Sequence, residues 1–588
     1  MQKVTDILFL DKVINKPNLL NYKLNKEWKA ISGKEFYNQV FQLAHFLHKQ
    51  GFQKGDKVLL MSENRPEWNI VDFACQLIGL VTVPVFPNIS EHDLSFILKD
   101  AEVKFIFVSQ NGLFNKFQNL FLHQVGVNNI LSFSKIEGIK SLTEVLQQNP
   151  FDKNIESKIL QLYNQVQPDD LLTLLYTSGT SGQPKGVMLT HTNLLSNILN
   201  CQHIAPFQDY WRALSFLPLN HVYERMVNTL FLYKNISIYY AEGIEKVVDN
   251  IKEVKPHVFV SVPRLLERVY QKITSTRDEL KGIKKHILSW AIQLAENYEL
   301  RGKNGLWYEF LRKIADKLVY KKWREALGGN LECMISGGAA LNPKLERLFL
   351  CAKINCMQGY GLTETSPVVA VNTFDDSGKC IGTVGPIIPN TEVKIAEDGE
   401  ILVKGPGVMV GYYKNPDATK EAIDEDGWFH TGDIGELIDG KFLKITDRKK
   451  EIFKTTSGKY ISPAYIENKL KEHPFIEHCM VIGANEKFPS ALITLNITNI
   501  FNKFPDKQRL GLEKISIDSD ILKEIHSFIN KINKQLAPHE QIRNPHVLQE
   551  QWSVEGGELT PKMSLKRKFI LSKYQEIIHK IYRKETFA

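Results

Sequence analysis

The stretch "YTSGTSGQPKGVMLTH", Tyr176–His191, combines residue types that can hold an anion. It follows the apolar run "LLTLL"; every residue of Thr177–Gly182 is Thr, Ser or Gly, and Lys185 comes three positions later. Small residues leave backbone amides uncovered and a lysine adds a mobile positive charge, which together suit a phosphate chain. The alternative is a flexible Gly/Ser loop between two strands. Because a proline and an apolar strand resume at once, we interpret the segment as a loop fixed at both ends.

Three later stretches carry further groups for a nucleotide. The loop itself is not a Walker A element, because its lysine follows a proline in "QPKG". "MISGGAALNP" (Met334–Pro343) is an apolar strand that ends in small residues, "GYGLTETSP" (Gly359–Pro367) offers an aromatic ring, hydroxyls and a carboxylate, and "WFHTGDIGEL" (Trp428–Leu437) places Asp433 in a turn. Each stretch alone is weak evidence, but the four in this order and spacing are highly specific.

The chain resembles the adenylate-forming superfamily, which contains acyl-CoA synthetases, luciferases and peptide-synthetase adenylation domains. "LNHVYERM", "VPRLLERVYQKI" and "DRKKEIFKTTSGKYISP" are similar to the long-chain fatty acyl-CoA synthetase branch, and the resemblance runs from about Glu35 to about Lys573. It implies ATP-dependent activation of a long-chain fatty acid through acyl-AMP, followed by transfer to coenzyme A. The alternatives are an acyl-AMP ligase, an acyl-carrier-protein synthetase and, more remotely, an inactive nucleotide- or fatty-acid-binding homologue.

The resemblance implies roles for the residues around the phosphates of ATP. Thr363 would contact the α-phosphate, and Glu364, with Thr177, would hold Mg²⁺, a cation that prefers oxygen ligands. His221 would lie near the acyl carboxylate; its alternative is a core histidine satisfied by backbone. The β- and γ-phosphates would be wrapped by Thr177, Ser178, Gly179, Thr180, Ser181, Gly182 and Lys185.

The adenosine part of ATP has its own implied residues. Tyr360, between Gly359 and Gly361, would stack on adenine, and the opposite shelf would consist of Gly338 and Ala339. Asp433 would accept hydrogen bonds from the ribose hydroxyls, and Arg448 would reach the same sugar. The alternatives are a core tyrosine at 360, a surface carboxylate at 364 and a turn-capping aspartate at 433.

The C-terminal part of the chain departs from the family pattern at one position. Gly458 and Lys459 in "TTSGKYISP" would face coenzyme A, as the resemblance implies. The lysine that assists adenylation is expected in "ELTPKMSLKRKF", but Ser564 occupies its position. We hypothesise that Lys566 or Lys562 supplies the positive charge, since a lysine side chain can move its ammonium group by several ångströms.

Composition, cysteine content and charge argue against several classes of protein. The chain has 588 residues, 43% of them hydrophobic, and a net charge of +8. Its seven cysteines form no CxxC pair, so neither a disulfide framework nor a zinc site is expected. We expect a cytoplasmic protein, because no signal peptide or membrane span is apparent. The basic stretch Leu559–Ala588 suits a polyanion or an anionic membrane as well as a solvated helix, and no nucleic-acid-binding motif accompanies it.

The elements that position these residues follow a βαβ rhythm. "DKVLLMS", "VTVPVF" and "KFIFVS" are strand-like runs separated by helix-length segments, which predicts largely parallel sheets. Turn-rich hairpin sequence follows Gly382, and a small α+β unit follows "TDRKKE". The expected fold is multidomain α/β, with a large N-terminal body of βαβ-type sheets, a β-rich subdomain and a small mobile α+β C-terminal lobe. The expected domains are 1–446 and 447–588, with a hinge at Asp447.

The helical stretch between Arg277 and Gly328 carries one apolar stripe, formed by Trp290, Leu294 and Tyr298 at intervals of four residues. We interpret it as a helix pair packed on the body. A peripheral contact with the inner face of a membrane is the alternative. Acyl chain length and oligomeric state have no sequence signal.

Overall fold

The chain forms two compact units. The structure, a computed structural model, describes residues 1–178, 183–456, 458–560 and 563–583. The first unit consists of Met1–Lys394, Leu402–Thr431 and Leu437–Lys444. The second consists of Ile395–Ile401, Gly432–Glu436 and Ile445–Ala588, so its continuous part starts two residues before Asp447. A hinge at Asp447 stays a prediction.

The first unit contains two eight-stranded sheets that are mostly parallel, as the βαβ rhythm predicted. The strands of one sheet, in spatial order, are Val368–Val371, Asn355–Gly361, Cys333–Ser336, Val258–Ser261, Arg212–Ser215, Ser237–Tyr240, Leu20–Leu24 and Glu27–Ile31. The strands of the other are Gly411–Tyr412, Pro184–Thr190, Leu171–Ser178, Val81–Val85, Lys57–Met61, Phe105–Val108, Ile130–Ser132 and Lys140–Ser141.

Helices connect the strands and cover the sheets. The strand Phe105–Val108 is buried at every position, which explains its uninterrupted apolar sequence. The α-helices of the first unit are Asp11–Ile14, Gly33–Lys49, Pro66–Leu77, Glu91–Asp100, Asn111–Val125, Leu142–Gln148, Lys153–Tyr163, His191–Cys201, Val222–Tyr233, Val247–Val254, Pro263–Glu279, Gly282–Glu296, Gly305–Ala315, Lys321–Ala326, Pro343–Cys351 and Pro416–Ala422. The strand-like runs of the sequence are thus strands, and the segments between them are helices.

The charged helical stretch contains a pair of helices packed on the first unit, as predicted, but its apolar stripe does not lie on a single helix. One helix spans Gly282–Glu296, and Trp290 and Leu294 on it pack half-buried against the main core. Tyr298 lies beyond the end of this helix, so the predicted stripe of three is wrong as a feature of one helix. The helix that starts at Gly305 continues through a π-helical turn, Asp316–Tyr320, to Ala326. Among the described residues, no helix combines the length and apolar character needed to cross a bilayer.

The second unit is α+β, as predicted. Its three-stranded sheet contains Ile476–Ile482, Ser490–Leu495 and His546–Val547, and a two-stranded hairpin pairs Phe453–Lys454 with Tyr460–Ile461. Its α-helices are Pro463–Leu470, Ile497–Lys503, Leu512–Ser516, Ser519–Asn533, Arg567–Lys573 and Gln575–Arg583.

The hairpin sequence after Gly382 forms a four-stranded sheet. Its strands, in spatial order, are Glu392–Ile395, Glu400–Lys404, Phe429–Ile438 and Phe442–Arg448. This sheet is the predicted β-rich subdomain.

Candidate active site

The Gly/Ser-rich segment connects two strands that pair directly with each other. Leu171–Ser178 and Pro184–Thr190 are antiparallel, and Thr177 lies opposite Lys185. Gly179, Thr180, Ser181 and Gly182 lie outside the described residues. The strand after the loop ends in a capping box, in which Thr190 and Asn193 bond each other's backbone and start the next helix. The segment is therefore fixed at both ends, as its sequence predicted.

Tyr412 brings the predicted lysine and the predicted carboxylate together. Its hydroxyl donates to Glu364 Oε1 at 2.9 Å, and Lys185 Nζ lies 4.9 Å from the centre of its ring. Gly411–Tyr412 is an edge strand paired with the strand of Lys185. Burial, and next the Glu364 carboxylate, raise the pKa of the Tyr412 hydroxyl. The sequence analysis missed Tyr412, because "MVGYYKN" has only the features of ordinary hairpin sequence.

Thr363 and Glu364 lie on a short 3₁₀ turn that the surrounding backbone fixes. The amide of Met409 donates to the carbonyl oxygen of Glu364 at 2.8 Å, and the amide of Leu362 donates to Thr365 Oγ1 at 2.9 Å. Thr363 is buried, whereas Glu364 is half-buried. The turn therefore presents the Glu364 carboxylate from a rigid backbone.

The predicted adenine shelf lies at one edge of the first sheet. Cys333–Ser336 and Asn355–Gly361 are parallel neighbours, so Gly338 and Ala339 leave the sheet at the edge where Tyr360 lies. Gly338 has a φ of +79°, a conformation that favours glycine, and both shelf residues are exposed. A Cβ at Gly337 would lie 3.0 Å from the ring of Tyr223, which explains why the strand ends in glycine.

His221 caps the helix Val222–Tyr233. Its Nδ1 accepts from the backbone amide of Tyr223 at 3.1 Å, which puts the proton of the neutral ring on Nε2. The ring is half-buried, and the Tyr223 hydroxyl donates to the carbonyl oxygen of Ile335. The alternative interpretation was a core histidine satisfied by backbone, and this backbone hydrogen bond is present. The role of His221 near an acyl carboxylate stays a prediction.

The same motif contains two buried ionisable side chains, Glu224 and Arg225, whose roles the sequence analysis did not assign. Arg225 forms a two-bond ion pair with Asp72, and both side chains are almost fully buried. Ser215 Oγ donates to Glu224 Oε1, and Glu224 Oε2 has no partner among the described residues. Burial raises the pKa of Glu224 to about 8, so this carboxyl group is neutral at pH 7. Glu224 and Arg225 in "LNHVYERM" therefore have structural roles in this region.

The raised pKa of Glu224 predicts that the first unit loses stability as the pH rises. The folded pKa of about 8 lies above the unfolded value of 4.5, so between these values the folded state binds one more proton. The titration of Glu224 then lowers the free energy of unfolding by up to about 1.4 kcal/mol for each unit by which the pH rises. Glu224→Gln, which is always neutral, should show a smaller drop in the urea midpoint between pH 6 and pH 8.5. An identical drop in both proteins would contradict this assignment.

Asp433 and Arg448, predicted to bind the same sugar, are neighbours in the second unit. Arg448 Nε lies 3.0 Å from Asp433 Oδ1, and only 3% of Asp433 is exposed. The turn before Asp433 is held by Glu400, which accepts from the amide of Gly432 at 2.8 Å and pairs with Lys449 Nζ at 2.7 Å. The Asp433 carboxylate is thus held in a fixed orientation.

The predicted coenzyme A segment forms the tip of the hairpin Phe453–Ile461. Gly458 has a φ of +73° with open space around it, and its amide donates to the carbonyl oxygen of Thr455. Lys459 is exposed. A second turn contains Ser564, whose carbonyl oxygen accepts from the amide of Thr560 at 2.8 Å.

Of the two lysines that could replace the expected one, the structure describes only Lys566. Lys566 is half-buried, and its amide donates to the carbonyl oxygen of Glu558, where it precedes the helix Arg567–Lys573. Lys562 lies outside the described residues. The choice between them stays a hypothesis.

Comparisons with known proteins cover nearly the whole chain. The model of the AMP-binding enzyme family matches residues 11–413, and that of the AMP-binding enzyme C-terminal domain matches residues 450–586. The chain is 34% identical over 580 residues to long-chain-fatty-acid–CoA ligase FadD15 of Mycobacterium bovis, covering 95% of this chain and 93% of that protein. It is 32% identical to the peroxisomal long chain acyl-CoA synthetase 6 of Arabidopsis thaliana, covering 91% and 78%.

A solved structure supports the fold. The o-succinylbenzoate coenzyme A synthetase of Bacillus subtilis, in complex with ATP and a magnesium ion, superimposes with a TM-score of 0.67. The two proteins are 20% identical, and the match covers 96% of this chain and 98% of that one.

Proposed function

Because the chain belongs to the AMP-binding enzyme family, we propose that it activates long-chain fatty acids with ATP and transfers the acyl group to coenzyme A. The products are acyl-CoA, AMP and pyrophosphate, which makes it an acid–thiol ligase. ATP with Mg²⁺ and coenzyme A are the partners that this chemistry requires. The observation that carries the proposal is the contact of Tyr412 with both Lys185 and Glu364, at the base of the Gly/Ser-rich hairpin.

In the first half-reaction the fatty carboxylate attacks the α-phosphorus of ATP and pyrophosphate leaves. Negative charge builds up on the phosphoryl oxygens, and catalysis depends on groups placed to meet it. Lys185 and the amides of the loop would bind the outer phosphates, and Thr363 would donate to the α-phosphate. His221, with its Nε2 proton, would lie near the acyl carboxylate.

Glu364 fits the role of a Mg²⁺ ligand. Tyr412 satisfies its Oε1, and its Oε2 has no hydrogen bond to any described residue. No group of three or more His, Cys, Asp or Glu side chains with metal-site geometry occurs among the described residues. One carboxylate suits Mg²⁺, which usually takes its other ligands from phosphates and water. The bound cation would neutralise phosphate charge.

The remaining parts of the substrates have separate candidate partners. Tyr360 would stack on adenine, and the Asp433 carboxylate, oriented by Arg448, would accept from the ribose hydroxyls. In the second half-reaction the coenzyme A thiol displaces AMP from the acyl-AMP. Gly458 and Lys459 would line its path, and rotation about Asp447 would separate the two steps.

Fatty-acid-dependent ATP–pyrophosphate exchange tests the first half-reaction. The purified protein should exchange label with a C16 acid and form the thioester once coenzyme A is added. Thioester formation with a holo carrier protein instead of coenzyme A would favour the carrier-protein alternative. A protein that exchanges no label with any acid from C8 to C20 would overturn the proposal.

Single alanine substitutions identify the lysine that replaces the expected one at Ser564. We expect Lys566→Ala or Lys562→Ala to lower acyl-adenylate formation by about 100-fold, because a preorganised charge at the reacting centre is lost. Transfer from synthetic acyl-AMP to coenzyme A should be retained, which separates a role in adenylation from misfolding. Lys568→Ala, an exposed neighbour, is the control. Full adenylation by both variants would refute the hypothesis.

The physical chemistry of the substrate also suggests where the protein acts. Long-chain fatty acids partition into bilayers, because each buried CH₂ contributes about 0.8 kcal/mol. We therefore propose that the protein is cytoplasmic and makes a peripheral contact with the inner face of a membrane.

A further inference from the structure

The helix Gly305–Ala326 exposes an unusual row of large apolar side chains. Leu306 is 91% exposed, Trp307 71% and Phe310 51%, and Ile314 and Leu318 continue the row. Leu306, Phe310, Ile314 and Leu318 follow one another at intervals of four residues, so they lie along one side of the helix. The rings of Trp307 and Phe310 stack on each other, with centres 5.4 Å apart. We call these five residues the apolar row.

The opposite side of this helix is firmly attached to the first unit. Ala315 and Tyr320 are fully buried, and the Tyr320 hydroxyl donates to the carbonyl oxygen of Ala291 at 2.7 Å. Arg324 Nη1 donates to the carbonyl oxygen of Ala352 at 2.7 Å. The apolar row is therefore presented on a fixed support.

Lysines accompany the apolar row. From Arg301 to Ala326 the sequence has eight Lys or Arg residues against Glu309, Asp316 and Glu325. These three acids are paired within the helix, with Arg312, Arg324 and Lys321 respectively. The exposed lysines of this stretch are Lys303, Lys313, Lys317, Lys321 and Lys322.

The lysines lie where they can act together with the row. Lys313 and Lys317 directly precede Ile314 and Leu318, and neither forms an ion pair with any other described residue. A long lysine side chain can place its ammonium group at a headgroup while its methylene groups lie along apolar surface. This surface thus combines apolar side chains that can enter a bilayer with the positive charges of Lys313 and Lys317, which are unpaired within the described part of the chain.

From this surface we propose that the apolar row and its lysines dock the protein on an anionic phospholipid bilayer. A helix lies in a membrane interface when an apolar face carries Trp, Phe and Leu and the flanks carry Lys or Arg. Anionic headgroups attract each such cation near the surface. A second copy of this chain is a poor occupant, because its matching surface carries the same positively charged Lys313 and Lys317. The inference deepens the peripheral contact of the proposed function by assigning it to a surface.

Flotation of the full chain with vesicles tests the assignment. We compare phosphatidylcholine vesicles with vesicles containing 30% phosphatidylglycerol, without ATP or fatty acid. The intact protein should float with the anionic vesicles. Trp307→Ser/Phe310→Ser should weaken this binding at least about tenfold, because two large apolar groups no longer enter the bilayer. Lys313→Glu/Lys317→Glu should weaken binding to anionic vesicles and reduce its salt dependence.

The control is Ile244→Ser/Val248→Ser, which removes another exposed apolar pair four residues apart and should leave flotation unchanged. Pyrophosphate exchange with water-soluble octanoate should be the same in all variants, which verifies folding. Equal flotation of intact and Trp307→Ser/Phe310→Ser protein would overturn the proposal, as would a lack of flotation. Self-association or capture of an acidic protein through the row, without vesicle binding, would also overturn it. If vesicles bind but no acid supports exchange, the proposed function fails and the docking surface stands.

Discussion

Glu364→Gln is expected to lower fatty-acid-dependent ATP–pyrophosphate exchange by about 100- to 1,000-fold, the usual cost of losing one preorganised electrostatic group. The substitution keeps the size of the side chain and can still accept from the Tyr412 hydroxyl. It removes the negative charge that would hold Mg²⁺ beside the phosphates. Raising the Mg²⁺ concentration should therefore recover part of the rate. The measurement is the exchange rate as a function of Mg²⁺ concentration.

Two further variants separate charge from position. Tyr412→Phe keeps the Glu364 carboxylate but removes the hydrogen bond that orients it, so a smaller loss, about tenfold, is expected. Glu425→Gln makes the same chemical change at an exposed carboxylate and should have no effect. If Glu364→Gln exchanged label at the rate of the intact protein, the assignment of Glu364 would be wrong.

Gly361→Ala is expected to destabilise the first unit by about 3 kcal/mol or more, the upper end of what overpacking costs. A Cβ at this position would lie 1.8 Å from the carbonyl oxygen of Pro367, and only backbone movement could relieve that contact. The moving segment contains Thr363 and Glu364, so exchange activity should fall together with stability. Thermal unfolding and the exchange rate are the two measurements.

Gly359→Ala provides a matched control in the same strand. Its Cβ would meet Val371 Cγ2 at 3.5 Å, an ordinary contact that needs no backbone shift. A small change in the unfolding midpoint is expected for this variant. Equal destabilisation by the two substitutions would mean that loss of glycine, and not the contact with Pro367, determines the result.

The sequence by itself determined the elements and the family. Apolar runs such as "KFIFVS" and turn residues such as those of "IDGK" act over a few positions, so the strands and hairpins could be predicted from them. The order of the four glycine-, hydroxyl- and carboxylate-bearing stretches indicated the AMP-binding enzymes, and the family comparison confirms this. The fixed ends of the Thr177–Lys185 hairpin followed from the same local signals.

Only the tertiary structure decided which distant groups meet. The partner of Glu364 is Tyr412, 48 positions later, and that of Arg225 is Asp72, 153 positions earlier. The protonation of Glu224 likewise depends on burial that no local pattern encodes. The helix Gly305–Ala326 shows most clearly what the sequence leaves open. The hydrophobic period predicts that a helix has an apolar face. Packing against the rest of the unit determines whether that face is covered. On this helix Tyr320 is covered and Leu306 is not, because contacts between segments far apart in the chain determine burial.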